Sequence, residues 1–355
     1  MYKIIKPFLF KYEPEQAHGK TLDALKFVQH YSQLLPLIKK MYHYDHPSLQ
    51  QNLNNIEFRN PIGLAAGFDK SCEVPKALEN AGFGAIELGG ITPKPQHGNP
   101  KPRMFRLVED QALINRMGFN NLGMNKALSN LRKYHYDIPV GLNVGVNKVT
   151  PYEERYQDYI KVMETFKHDV TFFTVNISSP NTENLQKFHD KSEFSQLCEA
   201  IQNFRQRTEL SVPIFIKLTS DLKLEDLGRM LDHIVETFDG IILANTTQQR
   251  DGLSSDHRQE SGGLSGKPLF ERNLKMINYA YKYTKGQFLI IGTGGIFTSE
   301  DVIKMLRNGA SLVQIYSSLV YEGPGLTKKL NKSLAQYLES NGYQNVSEII
   351  GLDVE

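Results

Sequence analysis

The chain has 355 residues, and 41 Lys and Arg stand against 39 Asp and Glu for a net charge of +2. With no run of five or more basic residues, that balance leaves no electrostatic footprint for nucleic acid, and none is expected as a partner. The two cysteines, Cys72 and Cys198, are too few for a disulfide framework and too far apart for a CxxC metal site, so both are expected as buried thiols of a reducing compartment.

In chain order, residues 1–45 form the first unit. They carry seven lysines against four acids, a net +3, while the rest of the chain is at −1. Leu25, Val28, Tyr31, Leu35, Ile38 and Met41 recur at helical spacing, and Pro36 is expected to divide the stretch into two short helices. Either this unit is a helical hairpin packed on the remainder of the chain, or it is a monotopic element that docks on a membrane surface. No stretch of the chain reaches the roughly 18 apolar residues of a span, and the N-terminus lacks a signal peptide's apolar core, so the protein is expected to be neither transmembrane nor secreted.

From residue 46 to 355 the pattern changes to short β-branched runs alternating with amphipathic helical segments. Expected strands are Ile62–Leu64, Ala85–Leu88, Val140–Val144, Phe172–Asn176, Ile214–Leu218, Gly240–Ala244, Phe288–Gly292 and Leu312–Ile315. Helical periods fall between them, as at Tyr152–Phe166, Phe194–Arg207, Leu224–Phe238, Phe270–Tyr283 and Ser299–Asn308. Eight such repeats define an α/β protein, a (β/α)8 TIM barrel with a small N-terminal helical extension, rather than an open sheet. Two connections are long for this architecture. The proline-rich segment Gly89–Pro139 is expected to run over the barrel mouth, and Ser178–Lys191 to form a lid.

Polar and glycine residues cluster just past the strand ends, where barrels place their sites. They include Ala66, Gly67 and Lys70 after the first strand and Asn143 in the third. Asn176 to Asn181 follow the fourth strand, Lys217 ends the fifth, and Asn245 and Thr246 follow the sixth. Gly292 to Gly295 close the seventh strand and Tyr316-Ser317 the eighth, and with Gly262 to Gly266 they form either simple turns or a backbone cradle for phosphate. Asn115, Asn143, Asn176, Asn181 and Asn245 offer donors and acceptors together, which suits a neutral heterocycle with alternating N–H and C=O edges. Lys70 and Lys217 are open to three readings: solvated surface lysines, Schiff-base formers or anion stabilisers. His18, His97 and His189 read as surface or structural residues, and no HExxH or close His/Cys cluster is present, so no metal is expected.

In this order the segments GLAAGFDK (63–70), TPKPQHGNPKPRMFR (92–106), NRMGF (115–119), GLNVG (141–145), NISSPNT (176–182), NTT (245–247), GGLSG (262–266) and GGI (294–296) resemble the dihydroorotate dehydrogenases. The resemblance implies FMN as cofactor, dihydroorotate as substrate and orotate as product of pyrimidine synthesis. Ser179 stands where the soluble class has a cysteine, and the stretch from Pro7 to His18 resembles the extension of the quinone-linked class. The class implied is therefore the one that reduces a membrane quinone from a peripheral position on the lipid bilayer surface, at the cytoplasmic side of the cell membrane. The alternative is the soluble class, which uses fumarate or NAD.

Carried over residue by residue, the resemblance makes Ser179 the base for the C5 proton. It places Lys70, Asn115, Arg116, Met117, Gly118, Phe119, Asn176, Asn181, Asn245 and Thr246 on the substrate. FMN would meet Ala66, Gly67, Lys70, Gly90, Asn143, Asn176, Lys217, Ala244, Gly266, Gly295, Tyr316 and Ser317, with Lys217 stabilising the anionic reduced flavin. The chain departs from the family at Gly90, where Thr is common, at Thr219-Ser220, and at Ala244, where Thr precedes Asn-Thr-Thr.

Overall fold

The structure, a computed structural model, describes residues 2–178 and 191–355. Of the expected lid, residues 179–190, with Ser179, Asn181 and His189, lie outside the described residues.

The N-terminal extension comprises three helices, α1 (Tyr2–Leu9), α2 (Pro14–His30) and α3 (Leu35–Tyr42), where the sequence pattern predicts two. The break also falls earlier than Pro36, at a single 3-10 turn over Ser32–Leu34. Pro36 instead sits in the first turn of α3, where a missing N–H leaves no helical bond unmade. A hairpin of β1 (Gln51–Leu53) and β2 (Ile56–Phe58) then leads into the barrel.

The expected repeat comes next, in order. It runs through β3 (Ile62–Leu64), α4 (Pro75–Glu79), β4 (Ala85–Ile91), β5 (Met104–Leu107), β6 (Ala112–Asn115), α5 (Met124–Leu131), β7 (Val140–Val144), α6 (Arg155–Phe166) and β8 (Phe172–Asn176). It continues through α7 (Lys191–Thr208), β9 (Ile214–Lys217), α8 (Leu224–Thr237), β10 (Gly240–Leu243), β11 (Gly263–Gly266), α9 (Phe270–Tyr283), β12 (Leu289–Thr293), α10 (Ser299–Arg307), β13 (Leu312–Ile315), α11 (Ser317–Glu322) and α12 (Leu326–Ser340). Strands β3, β4, β7, β8, β9, β10, β12 and β13 close into a parallel barrel through the β13–β3 ladder, and these are the eight strands expected. Alternation along them separates two cores. Ile86, Leu142, Val175, Ile216 and Val313 face the helices. Ala85, Phe172, Phe215, Ile242, Leu289 and Leu312 face inward and meet Ile56 and Phe58, so the hairpin closes the N-terminal end of the barrel.

One further sheet was not legible. Strands β5, β6 and β11 form a small antiparallel sheet, with β6 central, inside the segments expected as loops. Each strand has four residues, and β11 both begins and ends in glycine, so no periodicity marks them. Tyr321 of α11 ties this sheet to the barrel by donating its hydroxyl to the carbonyls of Leu107 and Ala112, at 3.1 and 2.7 Å.

The extension is bonded to the barrel by buried polar contacts. Gln29 of α2 accepts from the N–H groups of Lys76 and Ala77, at 2.8 and 3.2 Å, and donates to the Glu73 carbonyl at 3.0 Å. It thereby satisfies first-turn amides of α4, a helix whose own N-cap, Val74, has no side chain to do so. Arg106 of β5 donates to the carbonyls of Leu9, Phe10 and Tyr12 just past α1. Replacing Gln29 by Ala strands two buried N–H groups, and the expected cost is about 1–3 kcal/mol. Hydrogen exchange should accelerate in α2 and in the first turn of α4; unchanged protection there would show that the bonds contribute nothing to docking.

Candidate active site

A cavity with about 1260 Å³ of empty space, counted out into the solvent at its open mouth, lies over the C-terminal ends of the barrel strands. Parallel strands end on the same side, so the residues just past each strand converge there although they are far apart in sequence. The cavity brings together Ala66, Gly67, Lys70, Gly90, Asn115, Met117, Gly118, Phe119, Asn143, Asn176, Lys217, Ala244, Asn245, Thr246, Gly266, Gly295, Tyr316 and Ser317. Met104, Leu113 and Ser265, from the antiparallel sheet, close its roof.

Arg116 is the expected residue that turns away. Its guanidinium pairs with Glu260 at 2.7 Å, donates to the Pro102 carbonyl at 2.9 Å and stacks over the Phe105 ring. Arg116 directly follows β6, and the alternation that puts Leu113 and Asn115 toward the cavity turns it to the opposite side.

Each lysine is placed by its own local device. Asp69, fully buried, accepts from the N–H groups of Ser71, Glu73 and Val74 at 3.2, 2.9 and 2.8 Å, which knots the loop after β3 and directs Lys70 into the cavity. Burial pulls the Lys70 ammonium down to about 8, with Arg103 adding to the fall and Glu15 and Asp69 opposing it. Lys217 ends β9 and is 5% exposed, and among the described residues its ammonium has no hydrogen-bond or ion-pair partner. An almost buried cation without a counterion is a standing site for an anion or for developing negative charge.

Behind the cavity wall the extension packs on Phe68, which in turn touches the lining residue Tyr316. His18 meets Phe68 edge-on at 5.2 Å, and Phe68 meets Tyr316 edge-on at 6.0 Å. Burial, reinforced by Lys70, drops the His18 imidazole to about 3, so it is neutral at physiological pH. Burial likewise raises the Tyr316 phenol to about 12 and keeps it protonated. Nearby, Glu15 of α2 pairs with Arg103 at 2.7 Å, while Arg103 also donates to the carbonyls of His97 and Asn99.

Across the floor the amides interlock. Asn176 donates to Asn143 Oδ1 at 3.1 Å, Ser178 donates its hydroxyl to Asn176 Oδ1 at 2.9 Å, and Asn245 donates to Ser178 Oγ at 2.9 Å. Beneath them lie Glu87 of β4 and Gln314 of β13, which no motif had marked. The signal for Glu87 was present: a lone acid inside the apolar strand run AIELGG is costly unless it is bonded. Thr92, Asn121 and Asn147 were missed as well; they brace the connection between β4 and β5, with Asn121 and Asn147 both donating to Thr92 Oγ1.

A wall of bare backbone adjoins this floor. Gly294 and Gly295 are bare because a Cβ would meet Asn273 Nδ2 at 2.4 Å and the Phe270 amide nitrogen at 2.6 Å, so backbone alone lines that wall. Ser317 lies beside it at the start of α11, where first-turn amides have no intrahelical acceptor. Among the described residues no group of three or more His, Cys, Asp or Glu could hold a metal ion, and both cysteines are buried and free.

A family model described as dihydroorotate dehydrogenase matches residues 48–338. A protein named dihydroorotate dehydrogenase (quinone) from Christiangramia forsetii is 41% identical over 338 residues, covering 95% of this chain and 99% of that one. Another so named, from Gloeobacter violaceus, is 39% identical over 353 residues, 99% of this chain and 98% of that one. Among solved structures, DHODH from Eimeria tenella in complex with ferulenol superposes with a TM-score of 0.88 at 34% identity, covering 98% of each chain.

The geometry has two testable outcomes. An anionic ligand held by Lys70 should bind tightly while the ammonium is charged and lose affinity as pH rises through about 8, read as a rise in Kd or KM above that pH; a flat profile to pH 10 would remove Lys70 from ligand binding. At Gly90 an added Cβ would stand 2.8 Å from the Phe119 ring and 3.1 Å from Asn143 Oδ1, which accounts for glycine here. Gly90→Ala should push the ring into the cavity and weaken ligand binding about tenfold, the equivalent of about 1.4 kcal/mol of overpacking. Unchanged affinity would mean that the ring yields freely.

Proposed function

Since the chain belongs to the dihydroorotate dehydrogenase family, we propose that it oxidises (S)-dihydroorotate to orotate with FMN as hydride acceptor and passes the electrons to a membrane quinone, a step of pyrimidine synthesis. The observation that carries this reading is the convergence, on one barrel mouth, of Lys70, the amides of Asn115, Asn143, Asn176 and Asn245, the lone Lys217 ammonium and the glycine cradle. The same cavity fits FMN in its chemistry. The bare backbone at Gly294-Gly295 with Ser317 suits the phosphate, Ala66, Gly67, Gly90 and Ala244 leave room for a flat ring, and Lys217 supplies a fixed positive charge. When bound, FMN supplies the two-electron acceptor that no side chain can provide.

The residues of the chain would do the rest. Lys70 holds the substrate carboxylate, and the asparagine amides match the N–H and C=O edge of the ring. Ser179 would take the C5 proton on its hydroxyl oxygen as hydride leaves C6, passing its own hydroxyl proton on through a relay to water. Phe119 and Met117, which line the cavity, would keep water from the bound ring. Replacing Ser179 by Ala should lower turnover by roughly 10²- to 10⁴-fold with FMN retained, and Ser179→Cys should recover part of it; wild-type turnover in the Ala variant would eliminate Ser179 as the base.

The extension favours quinone over a soluble oxidant. Ile4, Ile5, Phe8, Phe27, Tyr31 and Leu37 are exposed large apolar side chains on a segment carrying seven lysines, while its inner face packs behind the cavity wall through His18 and Phe68. That surface suits peripheral attachment to anionic lipid at the cytoplasmic side of the membrane, each lysine near the surface contributing about 1 kcal/mol. No helix among the described residues is long and apolar enough to cross a membrane. The purified protein should be yellow, be bleached anaerobically by dihydroorotate, and be reoxidised by a long-chain quinone faster than by fumarate or NAD. Removing residues 1–44 should spare the bleaching but abolish vesicle binding and quinone-driven reoxidation. A truncated protein that still sediments with vesicles and reduces quinone at full rate would leave the extension as packing alone.

A further inference from the structure

Glu87 lies in the barrel interior between Ala85 and Gly89, one layer below the cavity floor, and is 1% exposed. Among the described residues no Lys, Arg or His nitrogen lies within ion-pair distance of it. Its two oxygens are met instead by amide nitrogens, Asn143 Nδ2 and Gln314 Nε2, each at 2.6 Å. Both contacts are donors, so Glu87 acts purely as an acceptor, and such charge-assisted bonds are short and strong.

A side-chain amide can be turned either way about its axis, and what it offers a ligand depends on which end faces out. An acceptor-only neighbour removes that freedom. With its NH2 committed to Glu87, Asn143 must turn Oδ1 toward Asn176, which therefore donates Nδ2 to it at 3.1 Å. Asn176 Oδ1 then faces Ser178 and accepts from its N–H at 3.2 Å and its hydroxyl at 2.9 Å. Ser178 Oγ, its proton spent, accepts from Asn245 Nδ2 at 2.9 Å, and Asn245 Oδ1 accepts from the Thr246 N–H at 2.8 Å. Each group has one orientation because the previous one has, and the series begins at the carboxylate. Gln314 shows the same command from the other side: its NH2 is held by Glu87 although this leaves its buried Oε1 without a partner.

We infer that Glu87 is a positioning residue of the active site. Its buried carboxylate sets the direction of the hydrogen-bond chain Asn143–Asn176–Ser178–Asn245, and with it the donor and acceptor pattern that the cavity floor presents to the dihydroorotate ring. The inference rests on the proposed dihydroorotate oxidation and goes beyond it, because Glu87 itself does not line the cavity.

Replacing Glu87 by Gln preserves volume but gives Asn143 a donor to face, so the chain can reverse; Glu87→Asp remains acceptor-only with shorter reach. On the FMN-loaded enzyme, orotate affinity by calorimetry and the KM and kcat for dihydroorotate should be measured for both, together with FMN content and melting temperature. The expected result is orotate binding weakened about 10- to 100-fold in Glu87→Gln, with KM rising alongside, FMN content near that of the wild type, and Glu87→Asp intermediate. Orotate affinity in Glu87→Gln equal to wild type would overturn the inference. So would loss of FMN or of folding in both variants to the same degree, since the carboxylate would then serve packing and not polarity. If Glu87→Gln alone fails to fold, Glu87→Asp decides: weakened orotate binding with FMN retained supports the inference, and wild-type binding overturns it. A wild-type enzyme that binds no orotate would sink the proposed function instead, so the two failures are distinguishable.

Discussion

Closing eight parallel strands on themselves forces every second residue into a space no wider than its side chains, and the layers of that space govern the rest of the molecule. At the N-terminal end the layer is dry, built from Phe172, Phe215, Leu289 and Leu312 with the hairpin residues Ile56 and Phe58 beneath. Two residues further along these strands stand Glu87, Thr174, Lys217 and Gln314, with Asn143 paired to Thr174, and two further still stand Asn176 and Thr293. Polarity therefore increases along one axis, from a packed plug to a floor of amides. Such groups stay buried only by bonding one another, and this is why the floor is a connected network rather than separate contacts.

The charges of the site arise from the same burial. Glu87 is met by amide donors, whereas among the described residues Lys217 has no such company, and Lys70 is poised between Glu15, Asp69 and Arg103. A carboxylate satisfied by dipoles is stable in the ligand-free protein. A nearly buried ammonium without a counterion gains most when negative charge is brought to it.

The extension has two faces with different physics. Its inner face is specific: Gln29 fills the donor gap of α4, Glu15 pairs with Arg103, and Tyr2 donates to the Val320 carbonyl at 2.6 Å. Its outer face is non-specific, an apolar surface flecked with lysine. The two possibilities left open by composition, packed helices and a surface for lipid, are thus compatible, because they concern opposite sides of the same helices.

The sequence by itself determined the barrel, its eight strands and the residues at its mouth, because strand periodicity is local and because the segments past each strand are contiguous stretches such as GLAAGFDK and NISSPNT. Only the tertiary structure decided what depends on partners distant in sequence. The antiparallel sheet of β5, β6 and β11 exists because residues 112–115 find residues 263–266, a pairing that four-residue strands do not announce. Arg116 sits within a motif facing the cavity, yet pleating turned it to Glu260. Glu87 looked like an isolated acid in a strand until the barrel brought Asn143 and Gln314 to it from 56 and 227 residues away. Period and motif are properties of a short run of chain, whereas a hydrogen-bond partner is a property of the closed fold.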